Sequence, residues 1–597
     1  MVGAPDGRIL PRLPPLSFGT AADGYRIQMR YLTMVTDYDG TLATNGQVPD
    51  RVVHALERLR ESGRRALLVT GRELDDLRRV FDRLELFDRV VAENGALIYE
   101  PETREERPLG EAPPQAFVEE LVRRGVAPLS VGRVIVATWE PHETVVLQTI
   151  RDLGLELHVV FNKGAVMVLP SSLNKATGLG AALHDLRLSS HNAVGIGDAE
   201  NDHAFLDSCE LSVAVENAVP AVKELCDHVT DGSRGEGVVE LIEGLLESDL
   251  SGLDERVRRH DVQIGTREGE KAVTIRPYRT NVLVTGPSGS GKSTLVTAFL
   301  EGLQEHGYQF CLLDPEGDYE GLDGASVLGT ADNPPTVDEA ITILDEPTGN
   351  VVLNLLGVRL DDRPGFLEAL LPRIQELRAR TGRPHWIIAD EAHHLLPQGL
   401  QTAERTMPKN VTSLLMVTVH ADAMSPEGLE PVTVLLTPGA GAAESIPLFA
   451  EARGTEPPPL PDVPGGKDHA VAWFLPDPPF VFESLQPTGE RRRHVRKYAA
   501  GDLKDKAFVF RGPNDQLKLR AQNLTLFAQI AEGVDDETWT WHLERGDYVR
   551  WFREAVKDDE LAQAAEEAQG ERDSETSRRH VLRAIEERYT LPAEASP

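Results

Sequence analysis

The chain has 597 residues, too many for one hydrophobic core, and at about 150 residues per domain it divides into three or four. Its 41% apolar and 26% charged residues are ordinary globular composition, and no run of about 18 uninterrupted apolar residues offers a membrane span. A formal net charge of −34 argues against sequence-independent adhesion to nucleic acid over the whole surface, though a local basic channel stays compatible with it.

Residues 1–31 are rich in Pro and Gly and lack the basic-then-apolar order of a signal peptide, so they read as a poorly ordered leader. Cys209, Cys226 and Cys311 form no C-x-x-C pair. The expectation is a cytoplasmic protein without disulfides, zinc site or membrane partner.

Order begins at Leu32-Thr-Met-Val-Thr36, an apolar strand that delivers Asp37 and Asp39 into a Gly-Thr turn. A lone D-x-D is weak, because Asp is common in turns and caps. Three further pieces accompany it: Arg65–Val69 ending in Thr70-Gly-Arg72, Lys175 after Pro170-Ser-Ser-Leu-Asn, and Ala193–Gly197 ending in Asp198-Ala-Glu-Asn-Asp202. Ligands of open α/β sheets gather beyond the carboxyl ends of strands, where these four pieces can converge.

In this order the four motifs resemble the haloacid dehalogenase (HAD) superfamily of phosphatases, in its Cof-like branch, over residues 32–247, including Ala92-Glu-Asn-Gly-Ala96 and Asn217-Ala218. The resemblance implies a Rossmann-like core in which Asp37 takes the phosphoryl group as an acyl phosphate. Asp39 would protonate the leaving oxygen and then activate water. Mg²⁺ would be held by Asp37, the Asp39 carbonyl and Asp198, with Lys175 and Thr70 on the phosphoryl oxygens. Asp202 would orient Lys175 and the outer ligands of the metal. Residues of about 100–174 would form an α/β cap, with a helix at 114–124 and strands near 133–137, 157–160 and 164–169. The cap chooses among phosphorylated small molecules, and its sequence leaves the substrate open.

A polar, acidic linker is expected at 248–259. Asn281-Val-Leu-Val-Thr285 then runs into Gly286, Pro287, Ser288, Gly289, Ser290, Gly291, Lys292, Ser293 and Thr294, ahead of a helical pattern. This is G-x-x-x-x-G-K-[ST] in its strand-to-helix context, a phosphate-binding loop for ATP. Lys292 would reach the β- and γ-phosphates, and the Ser293 hydroxyl would ligate Mg²⁺. Pro384–Ala389 is a buried-type strand ending in Asp390-Glu391. Asp390 suits the Mg²⁺ shell, and Glu391 suits polarising an attacking water.

Together with Asp314-Pro-Glu-Gly-Asp-Tyr319 and the strand Ser413–His420, this region, 260–485, resembles the HerA/FtsK group of P-loop ATPases with a RecA-like fold. That likeness implies a homo-oligomer, a hexamer in that group, and points to DNA as a partner. The group commonly has Gln where this chain has His420, whose role stays open. Arg378, Arg380, Arg383 and Arg405 are equally eligible as an arginine finger, and His393-His394 suit helix-start packing better than a metal.

Residues 486–597 read as a mainly helical module. The basic run Arg491–Lys497 suits either a nucleic-acid contact or a solvated face. Trp541, Tyr548 and Trp551 suit a small core better than a base-stacking platform. The fold class is therefore α/β multidomain, and the function that of a phosphatase fused to an ATPase that drives or regulates it. A polynucleotide kinase-phosphatase and an ATP-gated scaffold are the alternatives, the first disfavoured by Asp390-Glu391 and by a cap that would obstruct a nucleic-acid end.

Overall fold

The computed structural model describes residues 29–267, 271–398, 411–464, 468–487, 503, 506–513, 516–556, 558–571 and 573–589. Its N-terminal third is built on an eight-stranded sheet. Six strands run parallel in the order His228–Val229, Leu211–Ala214, Ala193–Gly197, Thr33–Thr36, Arg65–Val69, Arg89–Ala92, and the antiparallel Leu97–Glu100 and Glu105–Pro108 complete it. The central strands are buried throughout, as their continuous apolar runs require in a sheet covered on both faces. Helix Asp50–Glu61 packs on Gly235–Ser248, and Lys175–Asp185 on His203–Ser208.

The cap is a four-stranded antiparallel sheet, in the order Ser130–Val131, Val136–Trp139, Ala165–Pro170, Leu157–Asn162, with helices Gln115–Arg123 and Glu143–Asp152. Glu93 of the core pins it. The Glu93 carboxylate, fully buried, accepts from the backbone N–H groups of Arg133, Val134 and Ile135 at 2.7–3.0 Å. Gly132 lets it approach, since a Cβ there would stand 2.6 Å from Glu93 Oε1.

The middle of the chain forms an eleven-stranded sheet. Seven parallel strands lie in the order Val434–Pro438, Asn281–Thr285, Leu414–Thr418, Trp386–Ala389, Phe310–Asp314, Asn350–Asn354, Ala325–Leu328. Beyond Val434–Pro438 the sheet turns antiparallel through His469–Phe474, Phe480–Ser484, Val262–Arg267 and Lys271–Ile275. The strand Leu414–Thr418 thus separates the P-loop strand from the strand that carries Asp390.

The two sheets meet through the amino ends of their strands. His191, just before Ala193–Gly197, stacks on Tyr308 at 3.7 Å between ring centroids, and its Nε2 lies 2.6 Å from the His306 carbonyl. Glu210, just before Leu211–Ala214, accepts from Arg30 at 2.7 Å and from the Tyr308 hydroxyl at 3.1 Å, and lies 2.8 Å from His191 Nδ1. Buried Arg383 donates to the carbonyls of Arg187, Asp345, Leu344 and Glu346. The carboxyl ends, where the candidate sites lie, therefore face away from each other. Two five-residue strands end to end set them on the order of 40 Å apart.

This interface alters three expectations. The leader was placed through residue 31, yet Arg30 and Tyr31 are buried, and Arg30 bridges Glu210 and Asp254. The linker 248–259 is packed: Arg259 binds Asp227 and the Cys209 carbonyl. Arg378 is spent on the carbonyls of Pro384, His385 and Thr412. Arg380 pairs with Asp345 at this same end, so Arg378, Arg380 and Arg383 all lie away from the P-loop end; Arg405 is outside the described residues.

Burial works against ionisation of Glu210, but His191, Arg30 and His260 more than offset it and hold the carboxyl well below its ordinary 4.5. Its contribution to stability is complete above pH 4.5 and is lost as pH falls toward the folded value. Glu210→Ala, which leaves the buried Arg30 guanidinium with Asp254 alone and His191 and Tyr308 without their acceptor, is expected to cost roughly 3 kcal/mol in urea unfolding at neutral pH. The variant should also lack that component of the acid-induced loss.

The C-terminal region is mainly helical, as expected, with helices Leu524–Gly533, Asp536–Glu544, Asp559–Ala568 and Ser574–Tyr589 beside the hairpin Phe508–Phe510 and Leu519–Ala521. Tyr548 and Trp551 are core, but the third aromatic is Trp539, fully buried with Nε1 on Ser577, and not Trp541, which lies under the Arg545 guanidinium. Buried rings are unavailable for base stacking. The run Arg491–Lys497 lies outside the described residues. Among the described residues no helix is long and apolar enough to cross a membrane.

Candidate active sites

Asp37, Thr70 and Asp198 each follow the last residue of a parallel strand, so the sheet alone brings them together. Lys175 enters from the first turn of its helix, which Asn174 caps by accepting from Thr177 N. Its ammonium is buried and donates to Asp37 Oδ1 at 2.6 Å and Asp202 Oδ1 at 2.5 Å. Asp202 Oδ2 accepts from the backbone of Asp198 and Ala199, both at 2.9 Å. Both oxygens of Asp202 are thus committed to placing Lys175 and the Asp198 loop. The Thr70 hydroxyl accepts from Arg72 N at 3.2 Å.

Burial, then Asp202 and Asp198, push the Asp37 carboxyl up to about 7 against the pull of Lys175. Burial lowers Lys175, yet Asp202 and Asp37 outweigh it and hold the ammonium above its ordinary value. Asp39 has a different setting: Arg72 clamps its carboxylate, at 2.5 Å from Nε and 2.8 Å from Nη2, and also pairs with Asp76.

The residues fit a divalent cation. Carboxylate oxygens of Asp37, Asp198 and Asp202 lie within 4.8 Å of one another. Beside them the Lys163 ammonium already rests on Asp198 Oδ2 at 2.8 Å and the Asp39 carbonyl at 3.1 Å. Gly40 keeps that point open: a Cβ there would stand 2.3 Å from Asp198 Oδ2 and 2.9 Å from Lys163 Nζ. Asp37, Asp198 and the Asp39 carbonyl can ligate, with Asp202 behind them. His191, Glu210 and His260 also cluster, but Arg30 and Tyr308 already occupy the Glu210 carboxylate.

At the second sheet, Asn281–Thr285 runs into the loop 286–291, where Gly289 and Gly291 take φ values of 76° and 110° that other residues avoid. Gly291 precedes helix Lys292–Glu305, which aims its N-terminus at the loop. The Lys292 ammonium donates to the Gly286 and Pro287 carbonyls at 2.8 and 3.0 Å, and buried Ser290 Oγ has no partner among the described residues. An orphaned hydroxyl in a glycine-rich loop at a helix N-terminus suits a polyphosphate. Ser293 and Thr294 sit in the first turn of that helix.

Asp390 accepts from Glu391 N at 2.9 Å; burial, then Glu391 and Asp314, push its carboxyl up to about 8. Glu391 holds a left-handed backbone, φ 42°, and its Oε2 is buried without a hydrogen bond. His393 Nδ1 stands 3.0 Å from the Thr418 hydroxyl and 3.4 Å from Glu391 Oε2, which places it beside the paired acids, and among the described residues it joins no metal-type cluster. Burial, with His394 and His420 beyond it, pushes His393 down to about 4. His420 itself is exposed, 5.8 Å from the His393 ring. The sequence gives no sign of Lys163 in the first site, and Arg72, His393 and Asp314, though they stand in or beside the motifs, carry no assigned role there. Asp314 caps its own loop by accepting from the N–H groups of Gly317, Asp318 and Tyr319.

A carboxylate cluster at the ends of a doubly wound sheet, joined to a P-loop with its own paired acids, defines a two-enzyme chain, a phosphatase-type hydrolase fused to an ATPase-type domain. Residues 34–127 and 131–242 match the family of haloacid dehalogenase-like hydrolases, and residues 275–422 match the AAA domain. The chain is 31% identical over 217 residues to a phosphoglycolate phosphatase of Haloarcula marismortui, covering 35% of this chain and 95% of that protein. It is 29% identical over 219 residues to a phosphoglycolate phosphatase of Methanothermobacter thermautotrophicus, covering 35% and 96%. A solved haloacid dehalogenase-like hydrolase from Bacteroides thetaiotaomicron matches 36% of this chain and all of its own, at 21% identity and a TM-score of 0.32. Through its N-terminal third the chain belongs to the haloacid dehalogenase-like hydrolases.

Proposed function

We propose that the chain is a bifunctional enzyme: a Mg²⁺-dependent phosphomonoesterase working through an aspartyl-phosphate, and an ATP-hydrolysing domain that regulates it through their shared interface. The observation that carries this is the convergence of Asp37, Lys175, Asp198 and Asp202 within hydrogen-bonding reach at one sheet end. Asp37 attacks phosphorus, and the P–O ester bond breaks as Asp39 gives the leaving oxygen its proton. Asp39 then takes a proton from the water that opens the acyl phosphate. Asp37, Asp198 and the Asp39 carbonyl would hold Mg²⁺, which would supply neutralising charge. Lys175 and Thr70 hold the phosphoryl oxygens. That the curated relatives are phosphoglycolate phosphatases supports a small phosphorylated acid as substrate.

In the ATPase domain Gly286 to Thr294 hold ATP, Ser293 and Asp390 serve the Mg²⁺ shell, and Glu391 polarises water. Sites on opposite ends of two abutting sheets rule against handing substrate from one to the other. A cytoplasmic homo-oligomer, a hexamer, acting on DNA completes the reading for the HerA-like part. One preparation assayed for phosphate release from p-nitrophenyl phosphate and from ATP, in Mg²⁺ and in chelator, tests it. Both activities should vanish in chelator. A rise of ATP turnover with duplex DNA supports the motor version; a flat response leaves an ATP-responsive regulator of a metabolite phosphatase.

A further inference from the structure

Lys163 belongs to the cap, yet its ammonium sits in the core. It is the first of two residues, Lys163 and Gly164, that join the strands Leu157–Asn162 and Ala165–Pro170, paired at Asn162 and Ala165. Both have positive φ, 49° and 86°, the twist-matched geometry of a tight hairpin turn. Such a turn is short and stiff, so it fixes the Lys163 Cα over the site and leaves four methylenes to move the charge. The ammonium rests on Asp198 Oδ2 and the Asp39 carbonyl, two of the three oxygens that fit a divalent cation. The two cations compete for those oxygens. The core's own cations are otherwise committed, Lys175 to Asp37 and Asp202, and Arg72 to Asp39 and Asp76. With its side chain about half exposed, Lys163 has room to swing toward the mouth of the site.

From this geometry we infer that Lys163 is the specificity residue of the phosphatase: displaced from Asp198 by the divalent cation, it binds a second anionic group, a carboxylate, on the leaving side of a small phosphomonoester. This rests on the proposed phosphatase function and extends it to one side chain. The phosphoryl oxygens have their partners in the core, so a cap-borne ammonium held within one side-chain length meets the part of the substrate beyond the ester oxygen.

The test uses the full chain and two esters that differ by a carboxylate for a methyl group, phosphoglycolate and ethyl phosphate. Lys163→Met should raise KM for phosphoglycolate roughly 10-fold or more, as loss of a charge-assisted hydrogen bond requires, and raise KM for ethyl phosphate far less. Lys163→Arg should recover part of the difference. Calorimetric titration with Mg²⁺ alone should show Lys163→Met binding it several-fold tighter than the parent, because the competing ammonium is gone. An equal effect on both esters, or Mg²⁺ affinity unchanged, overturns the inference. If the parent chain hydrolyses p-nitrophenyl phosphate but neither ester, this inference alone falls; if it hydrolyses none of the three, the phosphatase reading falls, and this inference with it.

Discussion

Asp37→Asn is expected to lower phosphate release from p-nitrophenyl phosphate by on the order of 10⁴-fold or more, the scale on which covalent enzymes lose rate without their nucleophile. ATP turnover should persist, since Asp37 and the P-loop lie at the outward ends of two abutting sheets. The loss should not trace to unfolding. Because burial and Asp202 push the Asp37 carboxyl from 3.8 up to about 7, its ionised form works against folding as pH rises through that interval. The amide removes that term and leaves Lys175 its bond to Asp202. Thermal unfolding at pH 8 should therefore show the variant at least as stable as the parent. A variant that is inactive and also strongly destabilised would assign Asp37 a structural role.

Glu391→Gln is the second large effect. Steady-state ATP hydrolysis should fall roughly 10²- to 10⁴-fold, the range of general-base contributions, while nucleotide binding followed with a fluorescent analogue is retained. The binding groups, Gly286 to Ser293 and Asp390, are unaltered by the change. What the substitution removes is a carboxylate aimed inward by a left-handed backbone at φ 42°, whose Oε2 is buried without a hydrogen bond. Sustained turnover by the variant would fit a site in which ATP only gates assembly. The strand Leu414–Thr418 lies between the P-loop strand and the strand that carries Asp390, and His393 joins its Thr418 hydroxyl to Glu391, at 3.0 and 3.4 Å.

Much of both sites is legible in the sequence for a simple reason. Asp37, Thr70, Asp198, the P-loop and Asp390 each follow a buried apolar strand, and parallel sheets collect such residues at one end. Strand order could not be read, yet the convergence does not depend on it. What escaped depends on long-range register. Lys163 reaches Asp198 only because the cap hairpin folds back across 35 residues, and Arg72 finds Asp39 only once two adjacent strands align. The contact among Arg30, His191, Glu210 and Tyr308 joins single polar residues from four separate segments, none of which carries a periodic signal. Trp539 and Trp541, two residues apart on one helix, point about 160° apart; composition identifies the aromatic core, but only packing chooses the face.

The most direct measurement is a rapid acid quench of the chain with a radiolabelled phosphomonoester in Mg²⁺, followed by peptide mapping. The account predicts an acid-stable, hydroxylamine-sensitive acyl phosphate on Asp37, accumulating further in Asp39→Asn when the ester is p-nitrophenyl phosphate, whose leaving group departs without a proton while water attack lacks its base. Turnover with no label on Asp37 in either chain, or label on another residue, would contradict the assignment of this site.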